Sequence, residues 1–257
     1  MYVRQGGREA ADIIRRYDSA PKMKNLFSLL LAAAVACVTA PAFAQASAPA
    51  APAAKQEQHA AGGAKSIEAR VAMCMGCHNI IDYKGTFPEV YRVPKIAGQN
   101  AKYIAAALNA YKNGDRKHPT MRGIAGSLSD QDIADISDYY SKLAGETKLP
   151  DQPTKQPNAQ VAQLIQKAAC QSCHGSNFSK PIDPSYPKIA GQHDDYLFVA
   201  LKAYKTENNP AFGRNNGVMG AIAKQFSNSE LKALAEYVGS LDSELKTVPE
   251  SRFHHQQ

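Results

Sequence analysis

Two pentapeptides, CMGCH at residues 74–78 and CQSCH at residues 170–174, each set two thiols three residues apart with an imidazole directly after the second. Cysteines at i and i+3 share one face of a helix, so both sulfurs can reach one object, and the adjoining histidine can offer a nitrogen from the same side. Several chemistries use paired thiols. A disulfide inside each CxxC closes a very short loop and has no use for the histidine. A zinc ribbon separates its pairs by roughly 15–20 residues, whereas 96 positions separate Cys74 from Cys170. A thioredoxin-type pair expects a βαβ context, which this sequence does not supply. The reading that uses every residue is covalent attachment of a c-type haem, for which CxxCH is the sequence signature. The thiols then form thioethers with the two haem vinyl groups, and the histidine meets the iron. Cys74, Cys77 and His78 are the candidate anchor of one haem, and Cys170, Cys173 and His174 of a second.

The sixth ligand separates catalysis from electron carriage. An open iron binds peroxide or another substrate, whereas a Met/His pair closes the site and raises its potential. After residue 44 the chain has four methionines. Met73 and Met75 flank Cys74 and cannot reach round to the opposite haem face. Met121, in KHPTMRGIAG, and Met219, in NNGVMGAIAK, follow their histidines by 43 and 45 positions, and each is expected in a Gly-rich loop before the last helix. Core filling is the alternative use of methionine, but recurrence at matching places favours ligation. The metal ligands expected are therefore His78, Met121, His174 and Met219. His118 and His193 break the repeat and are expected at the surface. His59, His254 and His255 lie in polar segments and carry no signal.

These residues are positioned by an internal repeat. Residues 66–148 and 160–246 share the same order of segments. A helical lead-in (SIEARVAM, AQLIQKAA) precedes CxxCH, and a loop then ends in Pro-Lys-Ile-Ala-Gly-Gln at residues 94–99 and 187–192. Next come KYIAAALNAYK and DYLFVALKAYK, with tyrosines and aliphatic residues at helical spacing. Last come LSDQDIADISDYYSKL and FSNSELKALAEYVGSL, opening on the candidate N-caps Ser129 and Ser227; Ser227 with Glu230 also fits a capping box. The fold class expected is all-α, two tandem domains joined by a Pro-rich linker at residues 149–159. About 80–90 residues per domain is a size at which a core alone is marginal, and a covalently held porphyrin would supply an apolar centre.

Residues 23–44, MKNLFSLLLAAAVACVTAPAFA, read as a secretory signal ending in the small-x-small pattern of Ala42 and Ala44. Residues 1–44 are therefore assigned to a signal peptide, of which 1–22 are a spurious upstream extension. The run is too short for a preferred reading as a transmembrane anchor. Residues 45–65 form an Ala/Pro-rich flexible leader, and residues 247–257 a polar tail. The formal charge of +7 falls to +4 beyond residue 44, where 24 Lys and Arg face 20 Asp and Glu. No basic run with interleaved aromatics marks a nucleic-acid partner. Export to the periplasm is expected, and peripheral membrane association is compatible with the sequence.

The order CxxCH, PKIAGQ, Tyr-bearing helix, methionine segment and final helix, present twice over residues 66–246, resembles the cytochrome c4 family of dihaem class I c-type cytochromes. The resemblance implies two cytochrome c domains about a pseudo-twofold axis, with haem propionates near the domain interface. It also implies that the carbonyls of Pro94 and Pro187 orient the proximal histidines. The function implied is periplasmic electron carriage, without enzymatic activity. The donor would be a quinol-oxidising complex or a dehydrogenase, and the acceptor a terminal oxidase or reductase. Lys95, Lys102, Lys112, Lys188, Lys202 and Lys205 are candidates for steering towards acidic partners, with solvated helix faces as the plainer alternative. The rival readings are a haem enzyme of peroxidase or thiosulfate-oxidising type and an electron-accepting subunit of a dehydrogenase. The halves differ at Pro119 against Gly217, and in having 15 rather than 12 residues between histidine and PKIAGQ. The two haem environments are therefore expected to be unequal.

Overall fold

The computed structural model describes residues 66–250, which belong to one compact unit. The signal peptide, the leader and residues 251–257 of the tail lie outside the described residues. Helix α1 (Ile67–His78) starts where the Ser66 hydroxyl accepts the Ala69 N–H, and it carries the whole first CxxCH in its last turns. Two short strands, β1 (Lys84–Gly85) and β2 (Tyr91–Arg92), form an antiparallel pair. Helix α2 (Ala101–Asn113) buries Ile104 and Leu108, four residues apart on one face. Strand β3 (Arg116–Lys117) and helix α3 (Pro119–Gly126) follow. Helix α4 (Asp130–Leu143) closes the first repeat, packing on α1 and α2. Ser129 opens α4 with a full capping box in which Asp132 replaces the usual Glu or Gln.

The second repeat follows the same plan with one interruption. Helix α5 (Ala159–Ala168) stops at Ala169, whose φ of 48° lies in the left-handed region, and α6 (Cys170–His174) restarts with the second CxxCH. Helix α7 (Asp194–Lys205), strand β4 (Gly213–Arg214), α8 (Gly217–Ala223) and α9 (Asn228–Gly239) complete it. Ser227 caps α9 through the box with Glu230. Each repeat has its own apolar core, around Val71, Ile133, Ile136 and Tyr140 in the first and Leu164, Phe178, Leu231 and Ala235 in the second. Among the described residues the regular structure is helical apart from four two-residue strands, with turns and loops between. No helix among them is long and apolar enough to cross a membrane.

The repeats are tied together at several places. β3 pairs antiparallel with β4, Arg116 opposite Arg214. The Arg92 guanidinium reaches Asp194 and Asp195 at the start of α7, with Nε to Asp195 at 3.0 Å. Beyond α9 the chain crosses back to the first repeat: Lys246 N–H donates to Ala97 O at 3.0 Å, its Nζ to Ala144 O at 2.9 Å, and Val248 packs on the first core. The segment expected to be tail thus starts as part of the interface. The Pro-rich linker is also fastened, with Lys155 Nζ on Ser240 O and the Thr154 hydroxyl on Asp242.

Candidate functional site

Both CxxCH motifs are helical, as thiols at i and i+3 on one face require. None of the four motif cysteines is in a disulfide. Burial pushes the Cys74 and Cys170 thiols up to about 11, so they stay protonated at neutral pH and are poor partners for disulfide exchange. The histidines are fixed by a backbone carbonyl. His78 Nδ1–H donates to Pro94 O at 2.8 Å, and His174 Nδ1–H to Pro187 O at 3.0 Å. A carbonyl can only accept, so the proton sits on Nδ1 and the Nε2 lone pair is left for a metal. Burial also lowers both imidazole pKa values, with the proline carbonyls opposing in part, which keeps the rings neutral.

The methionines are not in loops. Met121 lies in the first turn of α3 and Met219 in the first turn of α8. Both turns are capped: His118 Nδ1 accepts the Met121 N–H at 3.4 Å, and Asn216 Oδ1 the Met219 N–H at 2.9 Å. A side-chain acceptor three residues before the methionine satisfies an N–H that a helix start leaves unpaired. His118 therefore has a counterpart after all, Asn216, and is not a spare surface histidine. Its Nε2–H donates to Tyr91 Oη at 3.0 Å. Asn216→Ala is expected to cost about 1 kcal/mol. His118→Asn, which keeps a cap acceptor, should cost less than His118→Ala; thermal melts of the three variants would check the order.

His193 is also misplaced by the sequence reading, since it is buried at the domain boundary. Burial, then the charges of Lys95 and Arg92, push its pKa down to about 4, so the folded protein holds it neutral. An unfolded imidazole titrates near 6.5, so between those values the unfolded chain binds the extra proton. Stability then falls as pH drops through that window, by up to ~3 kcal/mol. His193→Asn installs the residue that the repeat places at Asn100, and is expected to flatten this slope relative to the parent. Denaturant midpoints from about pH 7 to pH 4 measure the difference.

Most of the candidate steering lysines are engaged. Lys95 and Lys188 turn inward to Gly191 O and Gly98 O, at 2.8 and 3.0 Å, and Lys188 also pairs with Glu244. Lys112 and Lys205 bond Leu128 O and Phe226 O, and Lys202 pairs with Glu89 of the first repeat. Lys102 stays exposed. The domain interface, not a docking partner, explains Lys95, Lys188 and Lys202.

Sequence reasoning missed a pair of arginines. Arg116 and Arg214, opposite each other in the β3–β4 ladder, stand among four tyrosines. The Arg116 guanidinium donates to Tyr103 Oη at 3.1 Å and lies over the Tyr103 and Tyr111 rings. Arg214 does the same with Tyr196 Oη, at 2.9 Å, and with the Tyr196 and Tyr204 rings. No ion pair joins either guanidinium to a carboxylate among the described residues. A signal existed: each arginine precedes its methionine by five positions, and each tyrosine pair recurs in the repeat.

These features fit haem. Each half offers two thiols, an imidazole with a free Nε2 and a thioether, all soft or borderline donors suited to a haem iron and its vinyl groups. Cys74 and Met121 both lie at the edge of the first core, and Cys170 at that of the second. Two cations without anions match a prosthetic group that carries carboxylates. Among the described residues no group of three or more His, Cys, Asp and Glu side chains gathers round a metal position.

The profile of the family "Cytochrome c" matches residues 60–144 and again 159–242. Cytochrome c4 of Stutzerimonas stutzeri is 31% identical over 71% of this chain and 91% of its own. A thiosulfate dehydrogenase electron acceptor of Stutzerimonas stutzeri strain A1501 is 27% identical over 72% of this chain and 85% of its own. The crystal structure of reduced recombinant cytochrome c4 from Pseudomonas stutzeri aligns with 71% of this chain and all of its own, at TM-score 0.52 and 26% identity.

Proposed function

The chain belongs to the cytochrome c4 family and carries two tandem cytochrome c domains with two covalently bound haem c groups; we propose that Cys74, Cys77, His78 and Met121 hold the first haem and Cys170, Cys173, His174 and Met219 the second. The observation that carries this assignment is the pair of histidine–proline bonds, His78 to Pro94 O and His174 to Pro187 O. They fix the tautomer that presents Nε2, in both halves, directly after the thiols. Bound there, each haem supplies one-electron storage through the ferrous and ferric states of its iron.

The chain's own residues do the rest. The proline carbonyls hold each imidazole plane, and so the direction of its lone pair, against rotation. The caps His118 and Asn216 hold the first turns that bear Met121 and Met219. Arg116 and Arg214, held by tyrosine hydroxyls and ring faces, would offset the negative charge of the haem carboxylates. With a histidine and a methionine of the chain holding each iron, oxidation and reduction would require little ligand rearrangement, which suits an electron carrier and not an enzyme. Redox partners in the periplasm are the proposed setting, with a quinol-oxidising complex or dehydrogenase as donor and a terminal oxidase or reductase as acceptor.

A second reading, as electron acceptor of a dehydrogenase, has specific support in the likeness to thiosulfate dehydrogenase electron acceptors. Co-purification with a catalytic partner, against isolation as a free protein, separates the two. The ligand assignment is tested by counting haem as the pyridine haemochrome. The native chain is expected to give two haems, and the double variant Cys74→Ala/Cys77→Ala one. Two haems in that variant would overturn the assignment.

A further inference from the structure

The two PKIAGQ segments embrace each other across the domain boundary. Gln192 Oε1 accepts the Lys95 N–H at 2.9 Å while Gln192 Nε2 donates to Lys95 O at 2.8 Å. The mirror arrangement joins Gln99 to Lys188, at 3.0 and 2.9 Å. Each Oε1 also accepts the N–H of the residue after its own glutamine, His193 or Asn100. With two N–H donors on each oxygen and a carbonyl facing each nitrogen, the amide orientation admits no flip. Both glutamines are buried, 4% and 5% exposed.

The Lys95 N–H and the Pro94 C=O belong to one planar peptide group. Its oxygen accepts from His78 Nδ1 and its nitrogen donates to Gln192, so a glutamine of the second domain is one amide away from the histidine of the first. The Pro187–Lys188 peptide links His174 to Gln99 of the first domain in the same way. A hydrogen bond at the N–H end of an amide polarises the C=O end, strengthening its own bond by about 10–30%.

We propose that Gln192 and Gln99 are cross-domain positioning residues: each orients and polarises, through a single peptide group, the carbonyl that holds the proximal histidine of the other domain. Gln192 thereby tunes the first haem and Gln99 the second. This rests on the reading of His78 and His174 as iron ligands. A better acceptor at the proline makes the imidazole a more basic ligand, which favours ferric iron. Removing the glutamine contact therefore raises the potential of the haem in the opposite domain.

The test is a redox titration of the dihaem protein followed by NMR of the haem methyl resonances. Each set of resonances is assigned to a domain by its loss in Met121→Ala or Met219→Ala. Gln192→Leu is expected to raise the reduction equilibrium constant of the first haem about threefold, ~28 mV at 59 mV per tenfold for one electron, with a smaller change at the second. Gln99→Leu should give the reverse pattern. Equal shifts at both haems, shifts in the substituted domain or no shift would overturn the proposal, because a glutamine that merely joins the domains gives no crossed pattern. Should the leucine variants fail to load haem, Gln192→Glu keeps an acceptor for the Lys95 N–H and strengthens it. The first haem should then fall further than the second, and an equal fall, as from added charge alone, overturns the relay. Fewer than two haems in the native protein, or methionine variants that leave both resonance sets intact, would defeat the ligand reading instead.

Discussion

Met121→Ala and Met219→Ala are each expected to remove about half of the iron–thioether charge-transfer absorbance of the ferric protein, and the double variant all of it. Each methionine sits in the first turn of a short helix whose start is pinned by a side-chain cap, so the thioether is carried on a fixed backbone and not on a mobile loop. Alanine cannot bridge to an iron, and a capped turn cannot move another methionine into place. Met73 and Met75 lie beside Cys74, and α8 has no second methionine. The iron that loses its thioether should turn partly high-spin and its potential should fall, since Met/His ligation raises it. The other iron should keep its spectrum. An unchanged band in either single variant would show that its methionine is not a ligand.

Gly191→Ala and Gly98→Ala are expected to be among the most damaging single substitutions outside the ligand set. Both glycines have positive φ, 61° and 84°, where an alanine pays about 1–2 kcal/mol. Neither has room for a methyl group. A Cβ on Gly191 would overlap the Ser243 side chain and lie 2.6 Å from Leu241 O, and one on Gly98 would collide with Glu244 O. Those obstacles belong to residues 241–244, the segment that crosses from the second domain to the first. Relief requires moving that backbone, at a further cost of about 1–3 kcal/mol, so a loss of ~3 kcal/mol or more is expected. For a chain of this size that is roughly 6–12 °C in Tm. Gly126→Ala, with no heavy atom within 4 Å of the new Cβ, should leave the melt almost unchanged. Comparable melts for Gly191→Ala and Gly126→Ala would contradict this account of the interface.

Chemistry that is local in sequence was legible there. CxxCH puts the thiols on one helical face, and two copies in a repeat made the haem reading firm. The spacing of Met121 and Met219 singled them out, although short helices, not loops, carry them: a two-turn helix of Gly, Ala and Ile has too little periodicity to announce itself, and its caps, His118 and Asn216, look unrelated as residue types. What the sequence hid is what one domain does to the other. PKIAGQ was legible as a repeated motif with a proline for the histidine, but the use of Lys95, Lys188, Gln99 and Gln192 across the boundary is not encoded in any period. Lys188 and His193 look like surface residues because nothing local says that another domain covers them. Arg116 and Arg214 were within reach of comparison, since both fall five residues before a methionine.

Carbon monoxide offered to the fully reduced native protein tests the central claim most directly. An iron with both axial positions filled from the chain has no place for a diatomic ligand, so the visible spectrum of the ferrous protein should stay unchanged while two electrons per chain are accounted for. Prompt formation of a carbon monoxide adduct at either haem would contradict the reading of the protein as a carrier with two closed His/Met sites.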